Sequence, residues 1–126
     1  MEKIPLPKTG PARIWAAFRY SLDGLSAAVA GEAAFRQECW AAAVALLILA
    51  LLPLSLAWKG LLLLAGACVL IVELLNSSIE AVVDMASPEY HALAKRAKDF
   101  GSAAVLLAIL VNAVLWGCGL WTAFIQ

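Results

Sequence analysis

Residues 72–84 read VELLNSSIEAVVD and close a long apolar run, yet they carry Glu73, Asn76, Glu80 and Asp84. Wound as an α-helix with Glu73 at zero, Asn76 falls at about −60°, Glu80 at about −20° and Asp84 at about +20°. Three carboxylates and an amide therefore share a stripe roughly 80° wide. Along the axis Glu73 stands roughly 10 Å from Glu80 and roughly 16 Å from Asp84. An ionisable group at bilayer depth costs at least about 2.5–3.5 kcal/mol, so it marks a polar cavity or a partner. A polar contact between helices built on Asn76 and Glu80 is the plainer alternative. One amide, however, would serve that purpose at lower cost than a row of carboxylates.

The chemistry open to such a stripe is specific. Carboxylate oxygens bind hard divalent cations, and Mg²⁺ typically takes one or two of them together with substrate phosphates. A carboxylate withdrawn from water also suits a general base. Residues 95–99, KRAKD, add Lys95, Arg96 and Lys98, cations fit to hold polyphosphate. Glu32, in GEAAFRQE, supplies a further carboxylate. Metal-holding carboxylates, a deeper base and a phosphate-holding lysine are the parts of phosphoryl transfer onto a hydroxyl held in a membrane. The chain contains neither a GxxxxGK[ST] loop nor a protein-kinase glycine loop. A proton-coupled transporter or a membrane assembly subunit would place carboxylates in the same way, and the residues alone leave that class open.

The elements that position these groups follow from composition. Of 126 residues 64% are hydrophobic and 14% charged, more apolar surface than a soluble domain of this size can hide. The net charge of zero gives no reason to expect a nucleic-acid partner. Residues 39–58 hold no charge over 20 positions, residues 60–83 begin apolar and end in the stripe, and residues 101–125 are charge-free. Each is long enough to span a bilayer. Pro53 is expected as a tolerated kink inside the first span.

Lys3, Lys8, Arg13, Arg19 and Arg36 precede the first span. Lys95, Arg96 and Lys98 lie between the second and third, and Lys59 alone lies in the tight turn between the first and second. Positive loops stay cytoplasmic, which predicts a cytoplasmic N-terminus and 84–99 loop and a periplasmic C-terminus. Trp40, Trp58, Trp116 and Trp121 fall near span ends, as interfacial aromatics do. No cleavable signal pattern is expected, because the first apolar run comes too late.

Residues 1–11, with Pro5, Pro7, Gly10 and Pro11, read as an irregular lead-in. Residues 12–36 read as an amphipathic helix. Ile14, Trp15, Phe18, Leu22, Leu25 and Val29 share an arc of about 100°, with Arg13, Arg19 and Asp23 outside it. That pattern suits a helix lying in the membrane interface, or alternatively one packed on a partner protein. Cys39, Cys68 and Cys118 lack metal-ligand spacing and read as small packing residues. His91, the single histidine, has no role that its spacing assigns.

EAAFRQE (32–38), VELLNSSIEAVVD (72–84), EYHALAKRAKD (89–99) and GSAAVLLAI (101–109) together resemble the bacterial diacylglycerol kinase family, over residues 12–122 and in order. The resemblance implies an all-α membrane protein with three transmembrane helices and an N-terminal amphipathic interfacial helix. It implies a homotrimer in the inner membrane, with active sites shared between neighbouring chains. It implies ATP as co-substrate and Mg²⁺ as the metal.

By matching motif positions, Glu73 would be the catalytic base, and Glu32 and Glu80 would hold the metal. Asn76 would support this site. Glu89, Tyr90, His91, Lys98 and Asp99 would contact nucleotide, as would Arg13 and Tyr20 through the looser match RIWAAFRYS. Ala34, Phe35, Arg36, Gln37, Glu38 and Ser102 would border the lipid, and Asp84 would lend support. EAAFRQE and RAKDFGSAAV resemble the branch that phosphorylates diacylglycerol to phosphatidic acid. MASPEYHALAK leans toward the branch that phosphorylates undecaprenol. Leu22 and Asp23 depart from the tryptophan and lysine usual in the diacylglycerol branch.

Overall fold

A computed structural model describes residues 9–125, leaving Lys3, Lys8 and most of the lead-in outside the described residues. Four helices follow one another: α1 (Pro11–Gly31), α2 (Ala33–Leu51), α3 (Leu56–Ala86) and α4 (Ala92–Phe124). The last three are long and apolar enough to cross a membrane.

Helix α1 starts where Pro11 takes the first helical position, which needs no N–H donor. Gly10 before it adopts a positive φ of 63°, open to a residue without a Cβ. The single helix expected over 12–36 is in fact two. Glu32 is extended (φ −101°, ψ 110°) and separates α1 from α2. Arg36 secures the break: its Nη1 donates to the carbonyls of Val29 and Ala30, both at 3.0 Å, satisfying acceptors that the end of α1 leaves open. Apolar periodicity runs through this joint unbroken, so the pattern alone could not reveal it.

Pro53 ends a helix rather than kinking one. The residue before a proline is pushed out of the helical region, and Leu52 is extended (φ −69°, ψ 139°). Ser55 then starts α3, its Oγ accepting from the Trp58 N–H at 3.3 Å. Leu56 to Trp58 thus belong to α3, not to the first span. Lys59 lies within α3 rather than in a turn, and its Nζ donates back to the Ala50 carbonyl at 3.4 Å.

The expected 84–99 loop shrinks to residues 87–91. Ala, Leu, Lys and Arg, which fill residues 92–98, are strong helix formers, and their polarity does not make a loop. The third span accordingly begins as a helix at Ala92, not at 101.

Helix α4 packs along α3, α2 packs on α3 over a shorter stretch, and α1 chiefly meets α2. The buried residues of α3 are Leu62, Ala65, Val69, Glu73 and Asn76, one seam at steps of three and four. On α4 the buried residues are Gly101 and Gly119, which let the two backbones approach closely. Gly119 lies opposite Leu62, and Gly101 lies opposite Asn76. On α1 the large apolar residues Ile14, Trp15, Phe18, Leu22, Leu25 and Val29 all stay exposed, while Ala16 and Ala28 are buried.

Candidate active site

The seam that packs α3 against its neighbours explains why carboxylates lie inside. Glu73 and Asn76 continue the row begun by Leu62, Ala65 and Val69, and they are 5% and 9% exposed. Glu80, one turn further on, is half-buried. Asn76 Nδ2 donates to Glu80 Oε1 at 3.2 Å. The carboxylates of Glu32 and Glu80 act electrostatically on Glu73, and Glu73 acts on Glu38. Three acidic side chains, Glu32 from the α1–α2 joint, Glu38 from α2 and Glu80 from α3, thus lie near the one buried carboxylate, Glu73. Glu32 occupies the extended joint, and its side chain caps neither helix.

The donor set suits a hard cation that brings most of its own ligands. Among the described residues no three His, Cys, Asp or Glu side chains form a ready-made metal site. Glu32 and Glu80 offer carboxylate oxygens beside a cluster of like charge, and Mg²⁺ needs only one or two such groups beside phosphates and water.

The cationic side stands at the start of α4. Lys98 Nζ donates to Asp84 Oδ1 at 2.9 Å. Lys95 pairs with Asp99 one turn along, and the Arg96 guanidinium lies 5.5 Å from the centre of the Phe100 ring. His91 caps α4, its Nδ1 accepting from the Leu93 N–H at 3.2 Å. The Glu89 carbonyl accepts from Ser87 Oγ at 2.9 Å, and Tyr90 is 84% exposed. Arg13 and Tyr20 are exposed on α1.

Of the residues expected at the lipid, Ala34, Gln37 and Ser102 are exposed, whereas Phe35 is buried at 3%. Arg36 is engaged with the α1 carbonyls. Glu38 opens onto a cleft of about 510 Å³ between α2, α3 and α4, whose walls include Leu49, Leu62, Gly66, Asn112 and Trp116. Sequence reasoning passed over Asn112 and Gly101. The one signal for Asn112 was an amide inside a charge-free run. Gly101 carried no signal until a neighbour was seen against it.

These helices and this gathered carboxylate cluster define a small multi-helix membrane protein with a polar site on its packing seam. Residues 19–120 match the family model for prokaryotic diacylglycerol kinase. The diacylglycerol kinase of Escherichia coli strain K12 is 50% identical over 116 residues, covering 92% of this chain and 95% of the relative. That of Pseudomonas aeruginosa is 48% identical over 109 residues, covering 86% and 89%. That of Helicobacter pylori strain J99 is 39% identical over 122 residues, covering 97% and 95%. The chain belongs to the prokaryotic diacylglycerol kinase family.

Proposed function

We propose that this enzyme transfers the terminal phosphoryl group of ATP to the free hydroxyl of diacylglycerol, giving phosphatidic acid at the cytoplasmic face of the inner membrane. The observation that carries the reading is the buried Glu73 with Glu32, Glu38, Asn76 and Glu80 gathered around it. The named relatives, all diacylglycerol kinases, support the choice of diacylglycerol over undecaprenol.

Glu73 takes the proton of the lipid hydroxyl. The hydroxyl oxygen then bonds to the terminal phosphorus while the bond from phosphorus to the bridging oxygen breaks, and ADP leaves. Glu32 and Glu80 would hold Mg²⁺, which would supply charge neutralisation at the phosphates. Asn76 keeps Glu80 in place through its hydrogen bond. Lys98 exchanges Asp84 for phosphate, with Asp99, Glu89, Tyr90 and His91 contacting the nucleotide beside it. Arg13 and Tyr20 join the nucleotide from α1. Ala34, Arg36, Gln37, Glu38 and Ser102 border the lipid, while Phe35 is buried. Helix α1 lies in the membrane interface with its exposed apolar residues in lipid, and three copies form the working trimer with shared sites. The N-terminus is cytoplasmic and the C-terminus periplasmic.

Transfer from labelled ATP in mixed micelles with Mg²⁺ tests the reading, with diacylglycerol and undecaprenol offered side by side. Label is expected in phosphatidic acid. Label chiefly in the polyprenol would change the lipid and keep the chemistry, and no transfer by folded protein would overturn the kinase reading.

A further inference from the structure

Gly101 is one of two buried residues on α4, and its neighbour across the helix pair is Asn76. A Cβ at position 101 would overlap Asn76 Oδ1 outright and crowd Asn76 Cγ at 3.3 Å. The Asn76 backbone offers little escape, since its Cα lies 3.8 Å from the same point in the middle of a long helix. The amide can face two ways. Glu80 is an acceptor, so the bond at 3.2 Å requires the NH₂ to face it. The oxygen must then point at α4, where Oδ1 is buried with no hydrogen-bond partner. What fills the Cβ direction at Gly101 is a Cα–H, a weak donor and the smallest group available.

We propose that Gly101 is a positioning residue for the carboxylate site: its missing side chain fixes the orientation of the Asn76 amide, and through it the Glu80 carboxylate. An alanine there turns the amide aside and breaks the bond to Glu80. The consequence for metal binding rests on Glu80 holding Mg²⁺, as proposed above. The position of the amide does not.

The test uses the full chain in detergent micelles with Gly101→Ala, Asn76→Ala and the double variant. Gly119→Ala is the control, because its Cβ would crowd only the terminal Cδ1 of Leu62, at 3.2 Å, with Leu54 Cδ1 and Trp58 Cε3 at an ordinary 3.8 Å. The first readout is the ¹⁵N shift of the Asn76 side-chain amide, assigned by its loss in Asn76→Ala. It moves in Gly101→Ala and stays put in Gly119→Ala. The second is Mn²⁺ binding by electron paramagnetic resonance with a non-hydrolysable ATP analogue. Binding weakens about tenfold in Gly101→Ala, as for loss of other groups that orient a metal ligand. The double variant binds no more weakly than Asn76→Ala alone, since both changes break one link.

An unmoved amide signal in folded Gly101→Ala, or additive losses in the double variant, overturns the proposal. If Gly101→Ala fails to fold, adding Asn76→Ser frees the space and restores folding. A failure to restore it also overturns the proposal. Normal Mn²⁺ binding by Glu80→Gln would remove Glu80 as a metal ligand, and the amide shift would still decide the role of Gly101.

Discussion

Glu73 owes its burial to its place on the packing seam of α3, and the base role proposed for it rests on the same fact. It is only 5% exposed there, and Glu80 and Glu32 crowd it with like charge. Glutamine is nearly isosteric with glutamate, so Glu73→Gln should leave the helix pair packed while removing the proton acceptor. Loss of a general base typically lowers turnover by about 10²–10⁴-fold, and the expected fall in phosphate transfer lies in that range. A rate near that of the parent, from folded protein, would take Glu73 out of the base role. At this scale much of the cluster was legible. Glu73, Asn76 and Glu80 announce themselves because polar groups on one helical stripe of an apolar run have few explanations. Arg36 and His91 did not announce their local roles. Each satisfies a helix end: unbroken apolar periodicity hid the one at Arg36, and the polarity of residues 92–98 hid the one at His91.

Among the elements, the apolar runs of the three long helices were plain from the sequence, whereas their limits were not. Pro53, Ser55 and Ser87–Pro88 set the true ends, and in each case local backbone chemistry prevails over the apolar pattern. Packing between α3 and α4 was also invisible, because it depends on which small residue faces which large one. Leu62 is the most buried large side chain, 2% exposed, and it sits against Gly119. Leu62→Ala should open a cavity that α4 cannot fill, since a glycine faces it. In lipid the transfer contribution of the lost methyls is small, leaving a packing loss of roughly 1–3 kcal/mol. Unfolding in mixed micelles of rising denaturing-detergent content reads this directly. Leu64→Ala, at a position 61% exposed, should change little by comparison. Equal losses at the two positions would mean that the seam is not where α3 gains its stability.

At the scale of the whole molecule, a single chain leaves most of its apolar surface uncovered. Only 28% of the apolar window of α3 is buried, against 11% for α2 and 6% for α4. Helix α3 is therefore the inner helix of the chain, and neighbours or lipid must cover the rest. The carboxylates need no neighbour to meet, since Glu32, Glu38 and Glu80 each lie near Glu73 within one chain. The α1 residues stand apart. By helical rise Arg13 lies roughly 28 Å and Tyr20 roughly 18 Å from Glu32 along a continuous helix, too far for Arg13 to reach the carboxylates of its own chain. If Arg13 contacts nucleotide, it does so at a neighbour's carboxylates. Mixing chains that carry Glu73→Gln with chains that carry Arg13→Ala should then rebuild intact sites, at about a quarter of positions on random assortment in a closed ring. Mixing Glu73→Gln with Glu32→Gln should rebuild none, because those two carboxylates lie near each other within one chain. Activity measured after co-reconstitution separates the cases. Rescue in the second mixture would mean that the working Glu32–Glu73 pair forms between chains. Failure of the first would mean that α1 serves the membrane surface alone and that each chain holds its nucleotide unaided.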